Sequence, residues 1–390
     1  MDNNISFFIG GKQYIIDENN ITKHYTNEIS TQSNQNTNNS FANMNNIINY
    51  KNNKYNLDKR IMYYNYIHKK LSTISNNKCL EKKKFDNVNY GYTIDGKINL
   101  IKIIGTKSSY GVIYITKIKN VIGKYPVVSK LLTSNKDNLK EIKINTSVTK
   151  KIVLNKFSKH FLLTYKVINC KKKKNNLPEK INNNKYYIIL NELAHGDIKQ
   201  LFAIKKIVDN NSLVYNIFIQ VILSILTFHN IGYIHRDCHY GNFLYQRVND
   251  DGYYHYKIYN KDYYLKSCDY NILIYDFGLS KKHNYTRKDN VKLFKDYYRI
   301  HHAFLNKSFF SNPNKVWNEK QQISFEVSLY VKKFISLIYN LNEKNDYIDI
   351  INKHILPYFI INNSDIFLNK KPLNSKIINK TPFIIKPQKI

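Results

Sequence analysis

The stretch SLVYNIFIQVILSILTFHNIGYI, Ser212 to Ile234, is the most apolar run in the chain and constrains the fold more than any other feature. A segment this apolar must either cross a membrane or sit inside a core built around it. Asn216, Gln220, Ser224 and His229 interrupt it at roughly helical spacing, and it runs straight into His235-Arg236-Asp237. We read it as a buried helix and expect no membrane span. A helix buried all round needs other elements on several sides. The 390 residues leave room for one domain of ~280 residues with an appendage.

Charge narrows the choice of partner. Lys+Arg 61 against Asp+Glu 28 gives +33, which favours acidic partners such as nucleotides, acidic protein segments, nucleic acid or anionic lipid. Residues 1–57 hold four lysines and four acids, so the whole excess lies beyond Leu57. The lysines are scattered and no groove-reading motif accompanies them, so nucleic acid is not required as a partner. Cys79, Cys170, Cys238 and Cys268 fall far apart with no C-x-x-C pair, so neither a zinc site nor a disulfide is expected. The start MDNNISFFIGGK lacks a signal-peptide layout, and a reducing, cytoplasmic setting is expected.

Along the chain, SFFIG and QYIID flank Gly10-Gly11-Lys12 as a short hairpin. Asn, Thr, Ser and Gln then dominate to about Asn56, so residues 1–57 read as a largely low-complexity appendage. Ile61, Tyr64, Ile67, Leu71 and Ile74 recur at helical spacing, which predicts an amphipathic helix over 58–77 within a 58–85 connector. Strand-rich patterns INLIKIIG, GVIYITKI, YPVVSKLL, HFLLTYKVI and KYYIILNEL follow, with a helix expected over 138–156. After Glu192 the character turns mostly helical. The tail 368–390, with six lysines and no acid, reads as a loosely packed basic arm. The fold class is α+β.

Two short motifs carry the chemistry. In IHRDCHYGNFLY, Asp237 is followed five residues later by Asn242, and 39 residues after Asp237 the β-type run NILIY delivers Asp276-Phe277-Gly278. Phosphoryl transfer from a nucleotide uses such a set: one carboxylate takes the acceptor's hydroxyl proton, while a carboxamide oxygen and a second carboxylate hold magnesium on the phosphates. Phe277 is expected to pack inward and Gly278 to let the backbone turn.

With these motifs in this order after an apolar helix, residues 95–370 resemble the protein kinase superfamily. The resemblance implies a bilobal fold, with a small β-rich lobe at 86–192 and a larger helical lobe at 193–367. It implies ATP and Mg2+ as cofactors and a protein substrate with a Ser/Thr acceptor. By the same resemblance, Asp237 is the proton acceptor, and Asn242 and Asp276 are the metal ligands. Lys130, on a strand 19 residues after Gly111, is the phosphate contact, and Glu141 is its orienting partner. Gly105, Ser108 and Gly111, with Ile113 beyond them, form the phosphate-covering loop, Ser108 standing in the place of a middle glycine. Glu192 and Leu193 offer main-chain groups to adenine. His239 occupies a position where such kinases usually carry lysine, and its imidazole N–H is expected to face the transferred phosphoryl group. Arg236 is expected to pair either with phosphate on Ser280, Tyr285 or Thr286, or with backbone carbonyls.

Two departures bear on the acceptor. An insertion at about 246–270, rich in tyrosine, reads as an extra hairpin beside the active site. No Ala-Pro-Glu follows Asp276-Phe277-Gly278; KDYYRIHHAF begins about 20 residues later, and Asp296 within it is expected to support the catalytic loop's backbone. NELAHGDIKQLF, HRDCHYGN and KDYYRIHHAF together look most like the serine/threonine kinases of large cytoplasmic DNA viruses, which implies host cytoplasm or a virion. A second reading comes from D-x-H-x-x-N, which also resembles aminoglycoside and choline kinases and implies a small-molecule acceptor. A third is a non-catalytic pseudokinase scaffold; such proteins usually lack a magnesium or lysine position, and here all are present.

Overall fold

The computed structural model describes residues 5–9, 12–16, 55–84, 90–104, 111–119, 121, 127–171, 185–284, 286–305, 323–341 and 346–388. Gly105, Ser108 and Tyr285 therefore lie outside the described residues, as does most of the Asn-rich appendage. The chain forms a mixed α+β structure of two compact units. The first comprises 1–53, 63–138 and 164–193, the second 54–62, 139–163 and 194–390.

In the first unit, β1 (Ile5–Ile9) and β2 (Lys12–Ile16) pair as the antiparallel hairpin expected from Gly10-Gly11. Helix α1 (Leu57–Ser72), which belongs to this unit from Tyr63 onward, ends earlier than the expected 58–77, and Tyr64, Ile67, Leu71 and Ile74 are buried. Seven antiparallel strands follow: β3 (Leu80–Lys84), β4 (Tyr90–Ile94), β5 (Ile98–Ile104), β6 (Gly111–Ile118), β7 (Val127–Thr133), then, after α2 (Lys136–Val148), β8 (Thr164–Cys170) and β9 (Tyr186–Glu192). The order is β3-β4-β5-β6-β7-β9-β8. Strand β7 is buried on both faces from Val127 to Leu132, as befits a strand with neighbours on both sides.

Although β3 and β8 are opposite ends of this order, the sheet curls until they meet. Cys79 is disulfide-bonded to Cys170, Asn169 N donates to Asn76 O at 2.7 Å, and Leu80 N donates to the Tyr186 hydroxyl at 2.8 Å. This corrects the expectation of no disulfide. The partners stand 91 residues apart, and only the curl of the sheet brings them together.

In the second unit, β10 (Gly196–Asp197) leads to α3 (Ile198–Phe202), whose first turn is fixed by a capping box between Asp197 and Gln200. Helix α4 (Asn211–Asn230) is the apolar run. By length and composition it could cross a membrane, yet its flanks are covered by protein. Its polar interruptions serve as tie points. Asn216 Nδ2 donates to Lys266 O at 2.7 Å, while Gln220 donates to Tyr270 O and accepts from Ile272 N at 3.0 and 3.1 Å. Gly232, at φ +95, turns the chain into β11 (Tyr233–Ile234).

Strands β12 (Phe243–Arg247), β13 (Tyr253–Ile258), β14 (Lys261–Lys266), β15 (Tyr270–Ile274) and β16 (Lys281–Lys282) come next. Helices α5 (Arg287–Arg299), α6 (His301–Phe304) and α7 (Phe325–Leu341) follow, with further helical turns over Tyr347–Ile350, Ile351–Ile355 and Leu356–Asn362. The chain closes with β17 (Phe367–Leu368) and β18 (Phe383–Ile385).

The inserted hairpin is β13–β14, and it does not stand alone. It forms the centre of a four-stranded sheet, β17-β14-β13-β18, whose outer strands come from the C-terminal segment. The basic arm is therefore no loose tail: Phe383 and Ile385 are buried, Tyr253 N donates to Lys376 O, and Asn379 bonds both the N–H and the C=O of His255. The lysines that dominate its composition alternate with the apolar residues that dock it. The appendage boundary at 57 also moves, because Tyr55 is buried with its N–H on Arg247 O.

Candidate active site

The site residues of the second unit are positioned by two backbone ladders. Strand β11 delivers His235, Arg236 and Asp237, and β16 pairs beside it. Strand β12 starts immediately after Asn242 and pairs antiparallel with β15, Phe243 opposite Ile274. Because Tyr275 N donates to Asn242 O at 2.9 Å, the ladder ends with Asn242 beside the residue before Asp276.

The loop between these strands is held from below by Asp296 on α5, which is fully buried. Its Oδ2 accepts from His235 N at 2.6 Å and its Oδ1 from Arg236 N at 2.7 Å. These bonds hold Arg236 at φ +73, and Asp276 sits at φ +61. Two non-glycine residues in this sparsely populated region, at the two motifs, mark the kind of stored strain found at functional sites. The sequence read Asp296 in this role but not its further support: His229 lies 3.0 Å from Asp296 Oδ2 through Nε2 and 2.8 Å from the Tyr347 hydroxyl through Nδ1. From the sequence alone, His229 reads only as an interruption of the apolar helix. Arg236 Nη1 donates to Leu279 O at 3.2 Å, the carbonyl alternative of the two expected for it.

Asp237 is half-exposed and tightly surrounded. Asn242 Nδ2 donates to the Asp237 carbonyl at 2.8 Å and to Oδ2 at 3.0 Å, and His239 Nε2 lies 3.4 Å from the same Oδ2. Burial pushes the Asp237 carboxyl up. The His239 hydrogen bond, the nearby imidazoles of His239 and His235 and the Asn242 amide outweigh it, and the group is held below the ordinary carboxylate value. Gly241 N donates to His239 Nδ1 at 3.0 Å, and Asn242 Nδ2 lies 3.2 Å from His239 Nε2. The His239 imidazole, expected to face a phosphoryl group, stands beside the Asp237 carboxylate.

Asn242 has its amide nitrogen committed to Asp237, so its Oδ1 is turned away with no protein partner among the described residues. Asp276 supplies a second hard oxygen nearby. The described residues contain no group of three or more His, Cys, Asp or Glu able to hold a metal by themselves. One carboxylate and one carboxamide oxygen fit magnesium, which usually takes few protein ligands and completes its shell with water and phosphate. Phe277 is buried as expected, stacked 4.7 Å from Phe228. Glu141, also buried, brings its Oε2 to 3.8 Å from the point where a Cβ on Gly278 would sit, and Asp276 Oδ1 is 3.6 Å from that point. Leu244, which sequence reasoning did not single out, lies half-exposed against Leu162, Ala194, Leu273 and Tyr275, an apolar patch two residues beyond Asn242.

The remaining candidates belong to the first unit. Lys130 is at the centre of β7, 4% exposed, opposite Ile113 on β6 and Ile189 on β9. Gly111 opens β6, where a Cβ would come within 2.4 Å of Leu131 O, so only glycine fits. Glu192 ends β9 fully buried opposite Val127, and Leu193 is half-buried just beyond it.

No protein-family model matches the chain, and no curated protein matches it.

Proposed function

We propose that this chain is a protein kinase that transfers the γ-phosphate of Mg-ATP to Ser/Thr hydroxyls. One observation carries the reading: the β12–β15 ladder brings Asn242 and Asp276 together, and the Asn242 amide is bonded to the Asp237 carboxylate. Bound magnesium would supply charge neutralisation on the phosphates, held by Asn242 Oδ1 and Asp276.

The chain's own residues account for the rest. Asp237, held ionised by its neighbours, takes the proton of the acceptor hydroxyl. His239 and Asn242 fix the direction of its carboxylate, and Asp296 fixes the loop beneath. Leu244 and Ala194 offer an apolar surface for a purine.

A small-alcohol acceptor is the second reading, favoured by the His239 to Asp237 contact within D-x-H-x-x-N. Transfer of labelled phosphate from ATP to Ser/Thr proteins and to small alcohols separates the two. In Asp237→Asn, transfer should fall by about 10²- to 10⁴-fold with Mg-ATP binding retained, since only the proton acceptor is lost. Wild-type transfer by that variant would sink the assignment.

A further inference from the structure

The exposed charges around the Asp237 loop are basic, and their arrangement bears on the acceptor. Lys199 of α3, half-buried, extends its Nζ to 5.5 Å from the ring of Tyr240, inside the loop. Arg299 lies one turn beyond Asp296 on α5, the residue that grips His235 and Arg236, and is exposed. His302 follows in α6, where partial burial and the nearby His239 and Arg299 lower its pKa against the pull of Asp237, so it adds no positive charge to the rim at neutral pH. Below the loop, β16 places exposed Lys281 and Lys282 opposite Ile234 and Tyr233, Lys282 Nζ at 5.9 Å from the Tyr233 ring.

The acids in these same segments are occupied. Asp296 is buried in the loop's support, Asp197 caps α3, and Asp289 accepts from Asn284 N. The unit's solvent-facing acids are carried by other segments, for example Asp251 and Asp262 of the inserted hairpin. A net charge of +33 scatters lysines over the whole chain, and among the described residues of these segments Asp197, Asp289 and Asp296 are all engaged.

Resting on the phosphotransfer reading, we propose that the acceptor is a Ser/Thr in an acidic segment, with Asp or Glu on both sides, seated between Lys199 and Arg299. Opposite charges at the rim steer encounter and fix register. Exposed charges of this kind contribute about two- to five-fold each, so a pair amounts to about tenfold.

The test uses full-length protein, Mg-ATP and three serine peptides alike except for acidic, neutral or basic flanks. We expect kcat/KM on the acidic peptide to exceed that on the basic one by about tenfold or more, and to fall as salt rises. Lys199→Glu with Arg299→Glu should erase the preference through the peptide KM while leaving the KM for ATP and transfer to the neutral peptide in place. Lys199→Ala with Arg299→Ala serves if charge reversal harms folding. Equal or greater transfer to the basic peptide overturns the proposal and leaves the kinase reading standing. A raised KM for ATP in the variants also overturns it, assigning the rim to nucleotide. Transfer to none of the peptides removes both.

Discussion

Replacing Lys159 by Met should stabilise the protein, by an amount that depends on pH in a defined window. Lys159 is 3% exposed, its Nζ has no hydrogen-bond partner among the described residues, and it stands 3.6 Å above the Tyr254 ring. Burial drives its pKa down to about 7, against the opposing pull of Cys268 and Asp250 and with a small push from Arg60. The unfolded chain therefore takes up the lysine proton near pH ~10.4, whereas the folded chain takes it up only near 7. Between those values the unfolded state binds more protons, so stability falls as pH drops through the window and levels off below about 7.

Each pH unit inside the window corresponds to about 1.4 kcal/mol, so wild type should lose about 2 kcal/mol between pH 9 and 7.5. Met fills a similar volume without the charge and should abolish that slope. Urea unfolding of both proteins at pH 7.5, 8.25 and 9 reads the difference directly, because all other titrating groups are shared. Contact with the Tyr254 ring favours the ammonium and makes the figure an upper value. Parallel stability curves for the two proteins would refute the reasoning.

Three further outcomes are expected. His239→Ala should slow phosphotransfer by about 10–100-fold with little change in ATP affinity, and should move the acid limb of the kcat/KM profile to higher pH, because Asp237 loses the donor that holds its carboxyl down; an unmoved acid limb would show that His239 does not act on Asp237. Cys79→Ser should destabilise the protein by about 2–4 kcal/mol in non-reducing buffer and remove any response to dithiothreitol, read by thermal unfolding with and without reductant; a wild type indifferent to reductant would contradict it. Gly252→Ala should loosen the C-terminal segment, since Gly252 sits at φ +119 and a Cβ there would lie 2.2 Å from Lys376 O; limited proteolysis near Lys376 should quicken, and equal cleavage rates would count against the close approach.

What the sequence made legible was local. The apolar run and the strand-rich patterns of β5 to β9 each follow from stretches a few residues long. Likewise Asp237, Asn242 and Asp276 stand out as residue types at defined intervals. What brings Asn242 to Asp276 is the pairing of Phe243 with Ile274, a long-range register that no spacing encodes. The disulfide was hidden for the same reason. The docking of the tail was hidden by composition, because lysines mask the FII of β18. Arg60 illustrates a third limit: within an amphipathic helix it reads as a surface charge, yet it is buried and donates both guanidinium arms to the Lys159 and Phe161 carbonyls.

The four-stranded sheet formed by hairpin and tail also dictates an order of events during synthesis. His255 and its partner Asn379 are 124 residues apart, and β13 gains its parallel neighbour β18 only once that distant segment has left the ribosome. Until then the hairpin is translated, exposed and half-covered: Tyr256 and Tyr254 lack the Phe383 ring that later packs 5.2 and 6.0 Å from them. The nascent second unit thus carries an aromatic surface and an open strand edge through the translation of everything in between. Its window of vulnerability to misassembly is set by elongation rate, and slowing translation between residues 260 and 380 should lengthen it.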